Sequence, residues 1–281
     1  MNCNIMCYNK YILYTLMLLF SSSAFAQEIK VDTITVTKTR TIRILTRRTI
    51  PKFILQFDAH FNSGALELSG HNGSFSRSDF IRGKSFGARN GFGFNITGKL
   101  PLHKKGNFWI TATSNYNRFQ SNLLTDNTKE GQVAYNVFGG GVGIDYNITP
   151  GHRVKYYAGA TTLFNIIYAN ATLINNDISN TSPPKASVKI NPAFRIGYAL
   201  FLGLEYEADK NVGLNIGIRF SHLNLLLKKS TYSADTSKTD LNDDNAPPPS
   251  IYAGWKQFAF SSIYGGISYY FGVREKRYKL P

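Results

Sequence analysis

Thiols, acidic side chains and long apolar runs are what this chain has least of. Its only cysteines are Cys3 and Cys7. Nothing beyond them can form a disulfide, supply a thiol nucleophile or bind a metal through sulfur. Asp and Glu total 17 against 32 Lys and Arg, for a formal net charge of +15, yet only 17% of the residues are charged. The apolar run Tyr11–Phe20 falls well short of the roughly 20 residues a helix needs to cross a bilayer. No metal-ligand spacing is present, and no cofactor motif. No nucleic-acid recognition motif accompanies the positive charge, which leaves anionic lipid rather than nucleic acid as its match.

Lys10, the apolar run and the small-residue stretch Ser21–Ala26 before Gln27 have the order of a secretory signal peptide. Residues 1–26 are therefore expected to be cleaved, and the chain to be exported. No cysteine follows the small residues, so a lipid anchor is not expected.

What the chain has in abundance is alternation. In 84–99, Phe86, Ala88, Phe92, Phe94 and Ile96 share one parity, and Ser85, Gly87, Arg89, Gly91, Gly93, Asn95 and Thr97 the other. In a strand these parities face opposite sides, one greasy and one small or polar. A soluble sandwich would hide the greasy side under a second sheet. A small or polar second face suits the crowded lumen of a narrow barrel in lipid. The pattern recurs, giving strands near 52–63, 85–99, 107–118, 132–146, 153–168, 188–206, 212–227 and 257–271. Short turns (Leu100–Gly106, Asn147–His152, Glu207–Asn211) alternate with long loops (Gly64–Lys84, Phe119–Gly131, Ala169–Ser187, Lys228–Lys256). With a periplasmic N-terminus every long loop falls outside the cell, as bacterial outer-membrane barrels arrange them.

The expected fold is all-β: an eight-stranded antiparallel transmembrane β-barrel with up-and-down meander topology. Outward rows include Phe53, Leu55, Phe57, Ala59 and Phe61; Val154, Tyr156, Ala158, Ala160, Phe164, Ile166 and Tyr168; Ile190 and Phe194 through Tyr206; and Val212 through Phe220. None of these rows carries a charge, as lipid demands, and Tyr156, Tyr168, Tyr198 and Tyr206 lie toward strand ends, where aromatic girdles belong. The run Val137–Gly143 changes phase around Phe138 and Gly139, which predicts a bulge or a shifted boundary.

The final strand, Tyr264-Gly265-Gly266-Ile267-Ser268-Tyr269-Tyr270-Phe271, carries a family resemblance. Over about residues 52–271 the chain resembles the small outer-membrane barrels of OmpA/OmpX architecture, and especially the PorT-like barrel domains of Bacteroidota. The resemblance implies that Gly266, Tyr269 and Phe271 form the Gly-x-x-aromatic-x-aromatic signal read by the barrel-assembly machinery. In the family that aromatic commonly ends the chain, whereas here Gly272–Pro281 follow. The implied organisation is a signal peptide (1–26), a basic periplasmic segment (27–51), the barrel (52–271) and a tail (272–281).

Charges inside the strands fall on the inward parity: Asp58, Arg89, Asp145, Lys155, Arg195, Glu205 and Arg219. A lumen this narrow is filled by side chains, so a polar plug of ion pairs is expected. Asp58–Arg89 and Asp145–Lys155 are the candidate pairs, and inward glycines are expected to leave room for the arginines. The alternative is a narrow ion or small-solute channel lined by Arg195 and Arg219. Some small barrels modify lipid A with Ser and His near the outer rim. Here His60, Ser63, His71, Ser74, Ser76, Asp79 and His222 are the available groups, but no compact motif makes them converge. His60 has inward parity and His222 outward parity, so the two are not expected to share a site.

Before the first strand, Asp32–Thr37 is similar to a TonB box, the extended peptide that adds a strand to a partner's sheet edge. Lys38, Arg40, Arg43, Arg47 and Arg48 follow it and suit anionic headgroups, each cation contributing about 1 kcal/mol near the surface. The leading expectation is a non-enzymatic protein of the Gram-negative outer membrane presenting polar loops. It would contact lipopolysaccharide and phospholipid, and serve as an accessory in envelope assembly or in protein secretion, the latter raised by the PorT-like resemblance.

Overall fold

The computed structural model describes residues 44–69, 85–125, 128–174, 185–229, 238–241, 243–244 and 256–279. The strands, in chain order, are β1 (Ile44–Arg48), β2 (Phe53–Ala65), β3 (Asn90–Pro101), β4 (Phe108–Thr125), β5 (Thr128–Asn147), β6 (Val154–Ile174), β7 (Lys185–Glu207), β8 (Val212–Leu226), β9 (Lys238–Thr239), β10 (Ala259–Phe271) and β11 (Glu275–Lys279). β2 to β8 and β10 each pair antiparallel with their neighbours, β10 pairs with β2, and the ring closes. Closure satisfies the backbone without leaving a sheet edge, which is the condition for a β-structure to live in lipid. Among the described residues no helix is long and apolar enough to span a membrane. A separate two-stranded sheet pairs β1 with β11, where the sequence reading had only tether and tail.

The alternation does what the pleat requires. Phe57, Phe61, Phe92, Phe94, Val142 and Ile144 are exposed on the outer face, while Gln56, Asp58, His60, Asn95 and Thr97 are buried in the lumen. Aromatic pairs ring the short-turn end: Phe108–Tyr146 at 4.7 Å, Phe53–Phe271 at 5.7 Å and Phe57–Tyr269 at 6.3 Å between centroids. At the opposite rim Phe138 lies between Tyr116 (4.8 Å) and Tyr168 (6.3 Å).

Several expectations need correction. Residues 85–89 are not strand: Gly87 takes a positive φ of 67°, and the segment turns inward so that Phe86 and Ala88 are buried rather than lipid-facing. The span read as the long loop Phe119–Gly131 is a hairpin in which Thr125 pairs with Thr128. No bulge occurs at Phe138, because the β4–β5 register runs unbroken from Phe108 to Leu123. What changes there is polarity. Below the rim the inward residues of β5 are Asp145, Gly143, Gly141 and Gly139; above it they are Val137, Tyr135 and Val133. The outward residues change the other way, from Ile144, Val142 and Phe138 to Asn136, Ala134 and Gln132. β4 and β6 invert alike, with Phe119 and Leu123, then Ile167, Ala169 and Leu173, turned inward and buried. A real bulge sits in β7, where Asn191 and Pro192 together face Tyr168. Proline has no N–H for the ladder, so the extra residue is absorbed there and Ile190 turns inward instead of outward.

β4 to β7 therefore outgrow the rest. β7 has 23 residues against 13 in β2, about 33 Å more strand at roughly 3.3 Å per residue. Inside this taller wall a buried apolar core forms, and Leu68, Phe86, Leu241 and Phe258, from the segments that follow or precede the strands, pack into it.

Candidate functional site

The lumen is built in storeys. Toward the short turns, Lys99 Nζ sits 2.7 Å from Asp145 Oδ2, and Lys155 Nζ 3.4 Å from Glu205 Oε1. Glu205 also accepts a hydrogen bond from Ser268 Oγ at 2.9 Å. Lys99 lies over the Tyr157 ring at 4.7 Å and Lys155 over Tyr270 at 4.5 Å. Asp58 accepts from Gln56 Nε2 at 2.9 Å and from Asn95 Nδ2 at 3.1 Å.

Neither pair drawn from the sequence forms. Arg89 is exposed and precedes its strand, its backbone N–H donating to Ser121 Oγ at 2.7 Å. Asp145 and Lys155 flank one turn, but register separates them: Asp145 faces Gly159, while Lys155 faces Glu205 directly across β6 and β7. Lys99, the last residue of the strand expected over 85–99, is not among the inward charges named from the sequence, although it shares the inward parity of Asn95 and Thr97. The inward glycines admit rings rather than arginines. A β-carbon at Gly203 would lie 2.7 Å from the Tyr157 hydroxyl, and one at Gly217 would strike the Tyr264 hydroxyl. These two hydroxyls meet each other at 3.0 Å across the lumen.

At mid-height lies a cavity of about 30 Å³ whose walls include His60, Thr111 and Arg219. Arg219 rests between the rings of Tyr264 (5.2 Å) and Phe201 (5.8 Å). Above it Leu163, Leu223, Phe119 and Phe260 belong to the buried apolar core.

The remaining lumen ion pair is that of Arg195, which is buried inside the barrel. Its Nε lies 2.8 Å from Asp243 Oδ2 and its Nη2 2.7 Å from Asp243 Oδ1, a bidentate pair that is fully buried. Asp243 also accepts from Asn224 Nδ2 and the Lys229 N–H. The segment around Asp243 is thus drawn into the mouth, where β9 adds to β7 in parallel. Nothing periodic in the last loop announces this aspartate. Just before β10, Lys256 lies 5.0 Å from the Phe86 ring centroid, and burial there lowers its pKa to about 8 against the opposing pull of Asp243.

The residues of a lipid A chemistry do not gather. His60 faces the lumen, Ser63 faces out, and His222 lies on the outward side against Tyr198 at 5.6 Å. His71, Ser74, Ser76 and Asp79 lie outside the described residues, as do the signal peptide and Asp32–Thr37. Among the described residues no group of three His, Asp or Glu side chains could hold a metal ion. In the last strand Gly266 faces inward, and Tyr269 and Phe271 stand exposed on the outer face.

An uncharged apolar skin around a closed ring is solvated only by lipid, so the fold is an eight-stranded transmembrane β-barrel. Solved structures with low similarity include three such proteins. Neisserial surface protein A is 15% identical, with 78% of this chain and 97% of that chain covered at a TM-score of 0.41. OprG of Pseudomonas aeruginosa is 10% identical (80% and 98%, TM-score 0.41), and Ail, the attachment invasion locus protein of Yersinia pestis, 8% (81% and 99%, TM-score 0.38). No protein-family model and no curated protein matches the sequence.

Proposed function

We propose that this chain is a non-enzymatic, non-conducting barrel of the Gram-negative outer membrane whose work is done on the outer surface. The observation that carries the reading is the inversion of polarity along β4, β5 and β6. A strand that is greasy outside and polar inside has left the lipid once it becomes polar outside and greasy inside. Beyond that level the barrel continues as a water-facing, apolar-cored extension, which both stops the bore and lifts a rigid wall above the membrane. Rigid scaffolds carrying exposed segments are a common platform for binding.

In this reading the short turns and both termini are periplasmic, residues 1–26 are a signal peptide, and the outer rim meets lipopolysaccharide. Gly266, Tyr269 and Phe271 are the assembly signal, with the two aromatic side chains presented on the outer face. The partner of the raised wall is an envelope or secretion protein, in keeping with the PorT-like resemblance.

The test is planar-bilayer recording of the purified full chain. Current at background level is expected; a stable conductance would defeat the reading and favour the channel. Mass spectrometry of lipid A from cells with and without the protein is expected to show one acyl pattern, and a changed pattern would make it an enzyme.

A further inference from the structure

The structure assigns the mid-lumen cavity as a binding site for one small monovalent anion of the halide class, held between Arg219 and His60. The inference is independent of the surface reading above. Arg219 is the starting point: its guanidinium is sandwiched by Tyr264 and Phe201, and it meets no carboxylate and no hydrogen-bond acceptor among the described residues. Every other lysine and arginine deep in the lumen has its counter-ion, Lys99 in Asp145, Lys155 in Glu205 and Arg195 in Asp243. Arg219 is partly rather than fully buried, and a cation withdrawn that far from solvent still favours a partner of opposite sign beside it.

The walls supply the rest of an anion's coordination. His60 is 6% exposed, and neither ring nitrogen has a hydrogen-bond partner. Thr111 is 1% exposed, and its hydroxyl is likewise without one. Both line the same cavity as Arg219. Arg219 and His60 offer a guanidinium and an imidazole N–H to the cavity, and Thr111, level with Lys99 toward the short turns, adds a hydroxyl at its other end. No Asp or Glu lines the cavity; the nearby Asp58 is turned to the amides of Gln56 and Asn95. Lys99, which does line it, repels a cation further.

Size selects the anion. A cavity of about 30 Å³ holds about two water-sized bodies. One halide and one water fill it, the water donating to Gln56 Oε1, which is also buried without a partner. Phosphate and sulfate are larger than that space.

The experiment compares thermal unfolding of the full chain, folded in detergent, in sodium chloride or bromide with that in sodium gluconate at equal ionic strength; gluconate is too large to enter. The halide is expected to raise the midpoint by about 3 °C, and Arg219→Met is expected to abolish the difference. No halide shift in the wild type, or an equal shift in Arg219→Met, overturns the site. Should that variant fail to fold, wild-type crystals grown in sodium bromide decide. A bromine anomalous peak within hydrogen-bond reach of Arg219 and His60 supports the site, and no peak in the cavity overturns it.

Discussion

Arg195 and Asp243 are 48 residues apart in the chain, yet both arms of the guanidinium fork meet both carboxylate oxygens, at 2.7 and 2.8 Å. The pair ties the last long connection to the inside of the barrel wall, with Arg195 Nη2 also donating to the Leu241 carbonyl at 3.0 Å. Fully desolvated ion pairs are costly to break, because the surviving partner stays charged and buried. Arg195→Met is expected to cost about 3–5 kcal/mol in urea unfolding of the folded barrel. It should also expose the 238–244 segment to protease. Adding Asp243→Asn, which removes the stranded charge, should recover part of the loss. An Arg195→Met barrel as stable and as resistant as wild type would mean that the clamp contributes nothing.

The level at which polarity inverts is a prediction about lipid. Val142 and Gln132 are both outward residues of β5, one below the rim and one above it. Lysine at the lipid-facing midplane costs roughly 2–4 kcal/mol, and near zero once in water. Val142→Lys should therefore reduce the free energy of folding into phospholipid vesicles by that amount, while Gln132→Lys should leave it unchanged. Equal effects at the two positions would place the membrane boundary elsewhere.

The same inversion explains what was legible in the sequence. Outward rows such as Phe53–Phe61 and Val212–Phe220 are plain because every second residue faces lipid, and lipid tolerates little variety. The outer half of β5 is opaque to that logic. Val137 and Phe138 are adjacent apolar residues that face opposite ways, and both are correctly placed, one in a core and one in the membrane. A rule that allows a single apolar face reads the pair as a bulge. The polar outward residues Gln120 and Asn122 make the upper hairpin read as loop for the same reason. Pro192 is the usable clue to the bulge in β7, since a proline inside a strand needs one. For the lumen, parity placed Asp58, Asp145, Lys155, Arg195, Glu205 and Arg219 on the inner side. Who pairs with whom depends on strand register, which parity does not contain.

Phe258 is the keystone of the outer plug. It is fully buried, with ring centroids 5.2 Å from Phe86, 5.4 Å from Tyr135 and 5.6 Å from Phe119. Its backbone N–H donates to Asn224 Oδ1 at 2.7 Å. Truncating a large buried aromatic typically costs about 3–5 kcal/mol. Phe258→Ala should show a loss of that order in urea unfolding, and Phe258→Leu a smaller one. If Phe258→Ala unfolds like wild type, the outer core is not a packed unit.

Lys256 gives the outer plug a pH dependence. Burial against Phe86 lowers its pKa from 10.5 to about 8, with Asp243 opposing the shift. Below pH 8 the amine is charged in both folded and unfolded chains, and the folded state bears the cost of burying it. Between about 8 and 10.5 the folded chain holds fewer protons than the unfolded one, so its stability rises with pH across that window. Above it the amine is neutral in both states, and the cost has gone. Lys256→Met removes the titrating group, so it should be more stable than wild type at pH 7, with the gap closing as the pH is raised through 8 toward 10.5. Unfolding midpoints of the two proteins over that range check this; a gap that stays constant with pH would show that the amine titrates in the folded barrel as it does in water.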